Sequence, residues 1–241
     1  MTPYELMRWL ALPLLPFFNV KVRGDVRELA RPGQKVLDVG GRRSPHTVGL
    51  PIEVTVLDLP QESETQAEYG LGVNAEVLAR LRKQRSNVLD VVLEDMTRTR
   101  LPSQTFDGVV CVEVIEHVDD DERFVEQIAR VLRPGGWAYF TTPNGDYMPI
   151  PQGDHRRHYK REELRSLLHK HFRDVEVTYG VATGKDRLLG LRALTPRRPL
   201  QTVRAVLANV RHRKASAGLE DRAVKTANLF AVARNPRNAA P

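Results

Sequence analysis

The run Val36-Leu37-Asp38-Val39-Gly40-Gly41 sets an apolar strand segment against a carboxylate and two glycines. The same pattern of a short apolar run closed by acid or glycine recurs along the chain. Lys35–Val39 is the first such run, and Val54–Leu59, Val88–Leu93, Phe106–Val114, Trp137–Thr141, Val175–Tyr179 and Asn228–Ala233 follow. Phe106–Val114 is apolar almost throughout, as a strand buried on both faces must be. Between the runs lie stretches with helical spacing. Asn74–Arg85 gathers Val77, Leu78 and Leu81 on one face; Asp119–Leu132 gathers Phe124, Ile128 and Leu132; Arg161–His169 gathers Leu164, Leu167 and Leu168. Acidic residues open the second of these helices, Arg130 and Arg133 close it, and Pro134-Gly135-Gly136 stops it. Alternation of this kind predicts an α/β fold: a seven-stranded, mostly parallel sheet with helices on both faces.

The length of 241 residues is enough for one such domain. With 41% hydrophobic and 28% charged residues, wholesale disorder is excluded. Cys111 is the single cysteine and sits in an apolar run, so no internal disulfide forms and a cytoplasmic location is expected. The apolar stretch Trp9–Phe18 is too short to span a bilayer and contains Pro13 and Pro16. It reads as a lid over a pocket, as a shallow membrane contact, or as a helix packed on the core. The net charge of +7 is unevenly placed: residues 185–241 carry 13 Lys and Arg against 3 Asp and Glu. The chain therefore divides into an N-terminal helical lid segment (1–33), a core (34–184 with 224–236) and a basic helical insert (185–223). Within the insert, Leu200, Val203, Leu207 and Val210 fall on one helical stripe. Arg197, Arg198, Arg204, Arg211, Arg213 and Lys214 supply charge. A helix of this composition either lies on an anionic membrane or packs its stripe on the domain.

Strand ends carry the candidate chemistry. The first ends at Asp38, Gly40 and Gly41, where glycine lets backbone approach a ligand. The second ends at Asp58, about twenty residues on, placed to accept hydrogen bonds from ribose hydroxyls. The third ends in Glu94-Asp95-Met96, offering a carboxylate for an amino group and a flat apolar contact. All three fall on the carboxyl edge of the expected sheet, where open α/β folds bind ligands. Beyond the fourth strand stand Glu113, Glu116 and His117, and a neighbouring loop brings Asp154, His155 and His158. Histidines titrate near neutral pH, so His117, His155 and His158 are candidate bases. Two carboxylates with one or two imidazoles also suit Mg²⁺, Mn²⁺ or Zn²⁺.

The segments VLDVGG (36–41), VTVLDLP (54–60), LEDMT (93–97), LPSQTFDGVVCVEVIEHV (101–118) and VLRPGGWAYFTTPN (131–144) resemble the class I methyltransferases, in particular the type 11 group. The resemblance implies a Rossmann-like fold and S-adenosylmethionine as cofactor. It would set Asp38, Gly40 and Gly41 around the amino-acid part of that cofactor and Asp58, with Leu59 beside it, at the ribose. Asp95 would meet the adenine amino group, Met96 would flank its ring, and Glu113 would also face the cofactor. The family loop continues with further glycines, whereas Arg42, Ser44 and Pro45 stand here. Either Arg42 swings out to pair with the cofactor's carboxylate or the pocket has lost its ligand; the presence of Asp58 and Asp95 favours the first. The segments EVIEH (113–117), TTPNGDY (141–147) and DHRRHYKREEL (154–164) are similar to metal-dependent 2′-O-methyltransferases of small-RNA 3′ ends and to ubiquinone-pathway O-methyltransferases. That resemblance implies a divalent ion held by Glu113, Glu116, His117 and His155. Metal-free relatives carry the same Glu-His pair, the glutamate capping a turn and the histidine packing. The expected activity is O-methylation of a small-molecule or lipid-linked acceptor, with peripheral membrane contact as a further partner reading. A metal-dependent RNA 2′-O-methyltransferase and a non-catalytic cofactor-binding relative are the alternatives; nucleic acid is the lesser partner because no aromatics interleave with the basic residues.

Overall fold

A computed structural model describes residues 1–61, 72–151, 153–184 and 199–237. Seven strands form one sheet: β1 (Lys35–Val39), β2 (Glu53–Asp58), β3 (Val88–Leu93), β4 (Phe106–Val112), β5 (Leu132–Pro143), β6 (Phe172–Ala182) and β7 (Thr226–Pro236). Their spatial order is β3-β2-β1-β4-β5-β7-β6. β7 runs antiparallel to both of its neighbours, and the other pairings are parallel. The expected Rossmann-like α/β architecture is therefore present. The strand order reverses between β1 and β4, which opens a crevice beyond their carboxyl ends.

Helices cover both faces. On one, α2 (Phe17–Leu29) inserts Val22 and Val26 among Val54, Val110 and Tyr139. On the other, α4 (Asp121–Val131) and α5 (Arg161–His169) bury Phe124, Ile128, Leu164 and Leu168 against the sheet. Each such side chain contributes about 1.5–3 kcal/mol through removal from water. The helices start where polar side chains can hold their free N–H groups. Asp120 caps α4, Asn74 caps α3 (Ala75–Gln84), and Thr2 with Glu5 forms a capping box on α1 (Pro3–Leu10). The last helix, α6 (Pro199–Ser216), lies between β6 and β7, within the expected insert. Arg197 and Arg198 fall outside the described residues.

Three expectations change. The fourth strand ends at Val112, because Glu113 turns into the left-handed region at φ +53°. The helix expected to run to Leu132 ends at Val131, and Pro134-Gly135-Gly136 belongs to the start of β5. In the segment 1–33, expected as a lid, α2 is packed into the core, and none of its described residues lines the crevice. Among the described residues no helix is long and apolar enough to cross a membrane.

Candidate active site

The crevice at the strand-order reversal is a cavity of about 400 Å³, within the range of small-molecule sites. Val39, Gly40, Arg42 and Leu57 to Leu59 form one side, Asp95 and Met96 a second, and Glu113, His117 and Asp154 a third. Gly40 begins the loop at φ +70°, and a side chain there would run into Val114. Glycine is thus needed for both the backbone turn and the close approach.

Asp38 has a different place from the one expected. It is 1% exposed and does not line the cavity. Its Oδ2 accepts the Thr47 hydroxyl at 2.6 Å and lies 3.6 Å from Arg85 Nη2. Arg85 also donates to the Gly41 carbonyl at 3.2 Å and to the Thr47 hydroxyl. Burial pushes the Asp38 pKa up, against the pull of Arg85 and Thr47. Gly41 lacks a side chain because the Asp38 carboxyl fills that space. Asp38 therefore anchors the loop from beneath. Arg85 and Thr47 carry no motif, so sequence reasoning had no signal for them.

Asp58 faces the cavity as expected, though it is already engaged. Arg42 Nη1 donates to its Oδ1 at 2.9 Å, and the Arg42 N–H donates to its Oδ2 at 3.3 Å. The Leu59 N–H donates to Oδ1 at 2.9 Å. Both side chains of the ion pair are largely buried, Arg42 at 15% exposure and Asp58 at 5%. Arg42, expected to pair with a cofactor carboxylate, pairs with Asp58 in this structure. Asp95 accepts from the Thr97 N–H and hydroxyl through Oδ1 and pairs with Arg98 through Oδ2. Burial raises its pKa, and those hydrogen bonds more than offset the effect. Met96 is 3% exposed and still reaches the wall.

On the third side, the left-handed turn at Glu113 carries its carboxylate to the Thr141 hydroxyl (2.9 Å) and to Asn228 Nδ2 (3.1 and 3.2 Å). Glu113 thereby leaves the metal set expected of it. Glu116, His117 and His155 do come together, with ligand atoms all within 4.8 Å of one another. Glu116 is fully buried, and neither carboxylate oxygen makes a hydrogen bond of good geometry; the Thr142 hydroxyl lies beside it and only weakly pulls its pKa down. Burial, reinforced by repulsion from Glu113, holds the Glu116 pKa well above the ordinary carboxylate range. A buried acid so poorly supplied with donors either keeps a proton or suits a cation. The loop carrying His155 is fastened here, because the Arg156 N–H donates to the Glu116 carbonyl at 2.7 Å and Arg157 binds Asp121 at 2.6 Å.

The imidazoles are oriented by their outer nitrogens. His117 Nδ1 lies 3.2 Å from Asp154 Oδ2. His158 Nδ1 lies 2.6 Å from the Met148 carbonyl, which only accepts, so that nitrogen carries the hydrogen. In neutral His158 the Nε2 is then a lone pair, which accepts from His155 Nδ1 at 2.8 Å. His155 Nε2 is left as a free lone pair. Burial, with the neighbouring imidazoles, lowers the His155 pKa and favours that neutral form. Two imidazoles whose outer nitrogens are tied, beside a carboxylate poorly supplied with donors, fit a divalent ion.

Comparison with known proteins bears on the fold that carries this cavity. Residues 47–140 match the family described as a methyltransferase domain. A ubiquinone biosynthesis O-methyltransferase of Xanthomonas oryzae is 32% identical over 146 residues, covering 53% of this chain and 56% of that protein. The chain thus spans little more than half the length of that curated relative. Two solved structures share the fold. A SAM-dependent methyltransferase from Archaeoglobus fulgidus superposes with a TM-score of 0.57 at 16% identity, covering 90% of this chain and 94% of that one. Phosphoethanolamine N-methyltransferase 2 of Haemonchus contortus, in complex with S-adenosylhomocysteine, gives 0.60 at 20% identity, covering 92% and 54%.

Proposed function

We propose that this chain, whose residues 47–140 match a methyltransferase domain, transfers a methyl group from S-adenosylmethionine to a hydroxyl oxygen of a small-molecule or lipid-linked acceptor. One observation carries the reading. A nucleoside-sized cavity lined by Asp58, Asp95 and Met96 also reaches His117, which belongs to the His117–His155–Glu116 cluster. The donor, when bound, supplies an activated sulfonium methyl. The residues then have separable tasks. Asp58 accepts the ribose hydroxyls once Arg42 yields, Asp95 accepts from the adenine amino group, and Met96 packs against the ring. Gly40 lets the loop lie close. His155 Nε2, a lone pair fixed through His158, takes the proton that the acceptor oxygen gives up. In-line alignment of oxygen, carbon and sulfur provides most of the acceleration.

A second reading rests on the buried Glu116, poorly supplied with donors. Glu116, His117 and His155 would hold Mg²⁺, Mn²⁺ or Zn²⁺, which lowers the pKa of a bound hydroxyl. The O-methyltransferase relative favours a small acceptor over an RNA end.

Incubation with methyl-labelled S-adenosylmethionine and fractionated small-molecule and lipid extracts tests the function. Label transferred to an extract component, and lost in His155→Ala, is the expected result. Full transfer by a His155→Ala/His158→Ala double variant would overturn the base assignment. Absence of saturable donor binding would overturn the methyltransferase reading itself.

A further inference from the structure

Helix α6 is inside out. Its sequence PLQTVRAVLANVRHRKAS would bury leucine and valine if it packed by the usual apolar stripe. The buried positions are instead Ala205, Ala208, Asn209, His212 and Ser216, while Leu200, Val203, Leu207 and Val210 stand 77%, 55%, 49% and 46% exposed.

Polar side chains hold the helix in this orientation. Asn209 Nδ2 donates to the Leu14 carbonyl at 2.9 Å, and His212 Nε2 donates to the Ala182 carbonyl at 2.7 Å. The Ser216 hydroxyl accepts the Ala182 N–H at 3.0 Å. Breaking these bonds to roll the stripe inward would strand buried polar groups, so the outward face belongs to the fold. The stripe of large apolar side chains is contiguous at i, i+3, i+7 and i+10 spacing, so it forms one patch and not scattered exposure.

Charge selects what covers the stripe. α6 contains no Asp or Glu, and Arg204, Arg211 and Lys214 are exposed along it. The Asn209–Leu14 bond also joins α6 to the N-terminal segment. There Met7, Trp9 and Leu10 are 53%, 59% and 62% exposed beside Arg8. A second copy of the chain would bring these cations against one another, whereas an anionic lipid surface takes both the apolar stripe and the cations.

We propose that α6 docks on the surface of an anionic phospholipid bilayer. Ala182 is the last residue of β6, which runs parallel to β5 through β7, so α6 hangs from the carboxyl edge of the sheet. Docking there sets the edge that bears the cavity toward the lipid. This inference does not depend on the methyl-transfer reading.

The test is co-sedimentation of the full chain with vesicles of phosphatidylcholine alone or mixed with phosphatidylglycerol, at low and high salt. Binding to the mixed vesicles alone, weakened by salt, is expected. Two variants change only exposed positions: Leu207→Ser/Val210→Ser and Arg204→Gln/Arg211→Gln/Lys214→Gln. Unchanged thermal melting shows that each is folded. The charge variant should lose roughly 100-fold in partitioning, from about 1 kcal/mol per basic residue. The apolar variant should lose binding even at low salt. No binding to anionic vesicles at low salt overturns the proposal, as does binding that both variants leave intact. Self-association that the apolar variant abolishes, in a chain that ignores vesicles, would assign the stripe to a second copy and overturn it equally.

Discussion

Replacing Asp58 by alanine removes the carboxylate on which the donor's ribose is proposed to rest. A ribose diol offers two hydroxyls to that group, and a hydrogen bond to a charged acceptor is worth about 1.5–3 kcal/mol. Arg42 already uses Oδ1 at 2.9 Å, so one gain is offset by a loss. The net is about 1.5–3 kcal/mol, or about 10- to 150-fold in affinity. Arg42→Ala should act in the opposite direction. It frees a carboxylate that the ligand must otherwise take from a guanidinium, and a partly buried pair of this kind is worth about 1 kcal/mol net. Donor binding should tighten about fivefold. Calorimetric titration with S-adenosylhomocysteine reads both, with thermal melting as the control for folding. If Asp58→Ala binds as tightly as the parent, the ribose assignment is wrong. If Arg42→Ala weakens binding as much as Asp58→Ala does, Arg42 is a ligand contact and not a competitor.

Arg85→Met should destabilise the chain by about 3–5 kcal/mol in urea unfolding, because it leaves the buried Asp38 carboxylate without its cation; a loss below 1 kcal/mol would show that Thr47 suffices. Burial, with Arg8, Arg23 and Arg85 nearby, pushes the His46 pKa down to about 3. Unfolded His46 takes up a proton below about pH 6.5 and folded His46 does not, so stability present above that pH is lost as pH falls. From pH 8 to pH 5.5 the loss from this group is about 1.4 kcal/mol, and a His46→Gln variant should show a correspondingly flatter profile. His158→Ala should lower Mn²⁺ affinity, read by electron paramagnetic resonance, about 10- to 100-fold by releasing His155 from its fixed orientation; unchanged affinity would detach His158 from the cluster.

The strand ends at Asp38, Asp58 and Asp95 and the helical faces of α4 and α5 were legible because each is a local property. Side-chain period and turn chemistry depend on neighbours within a few residues. The cavity at the β1/β4 reversal followed from the alternation of elements. What each carboxylate does there was decided by partners far away in the chain. Asp38 looked like a ligand contact and is a loop anchor, since Arg85 and Thr47 reach it from other elements. Glu113 looked like a metal ligand and is turned to Thr141 and Asn228 by one left-handed residue. The stripe on α6 shows the same division. Its spacing was plain in the sequence, but its direction was set by Asn209, His212 and Ser216 finding the carbonyls of Leu14 and Ala182 and the N–H of Ala182. Periodicity says which residues share a face; only the three-dimensional hydrogen-bond partners determine which way that face points.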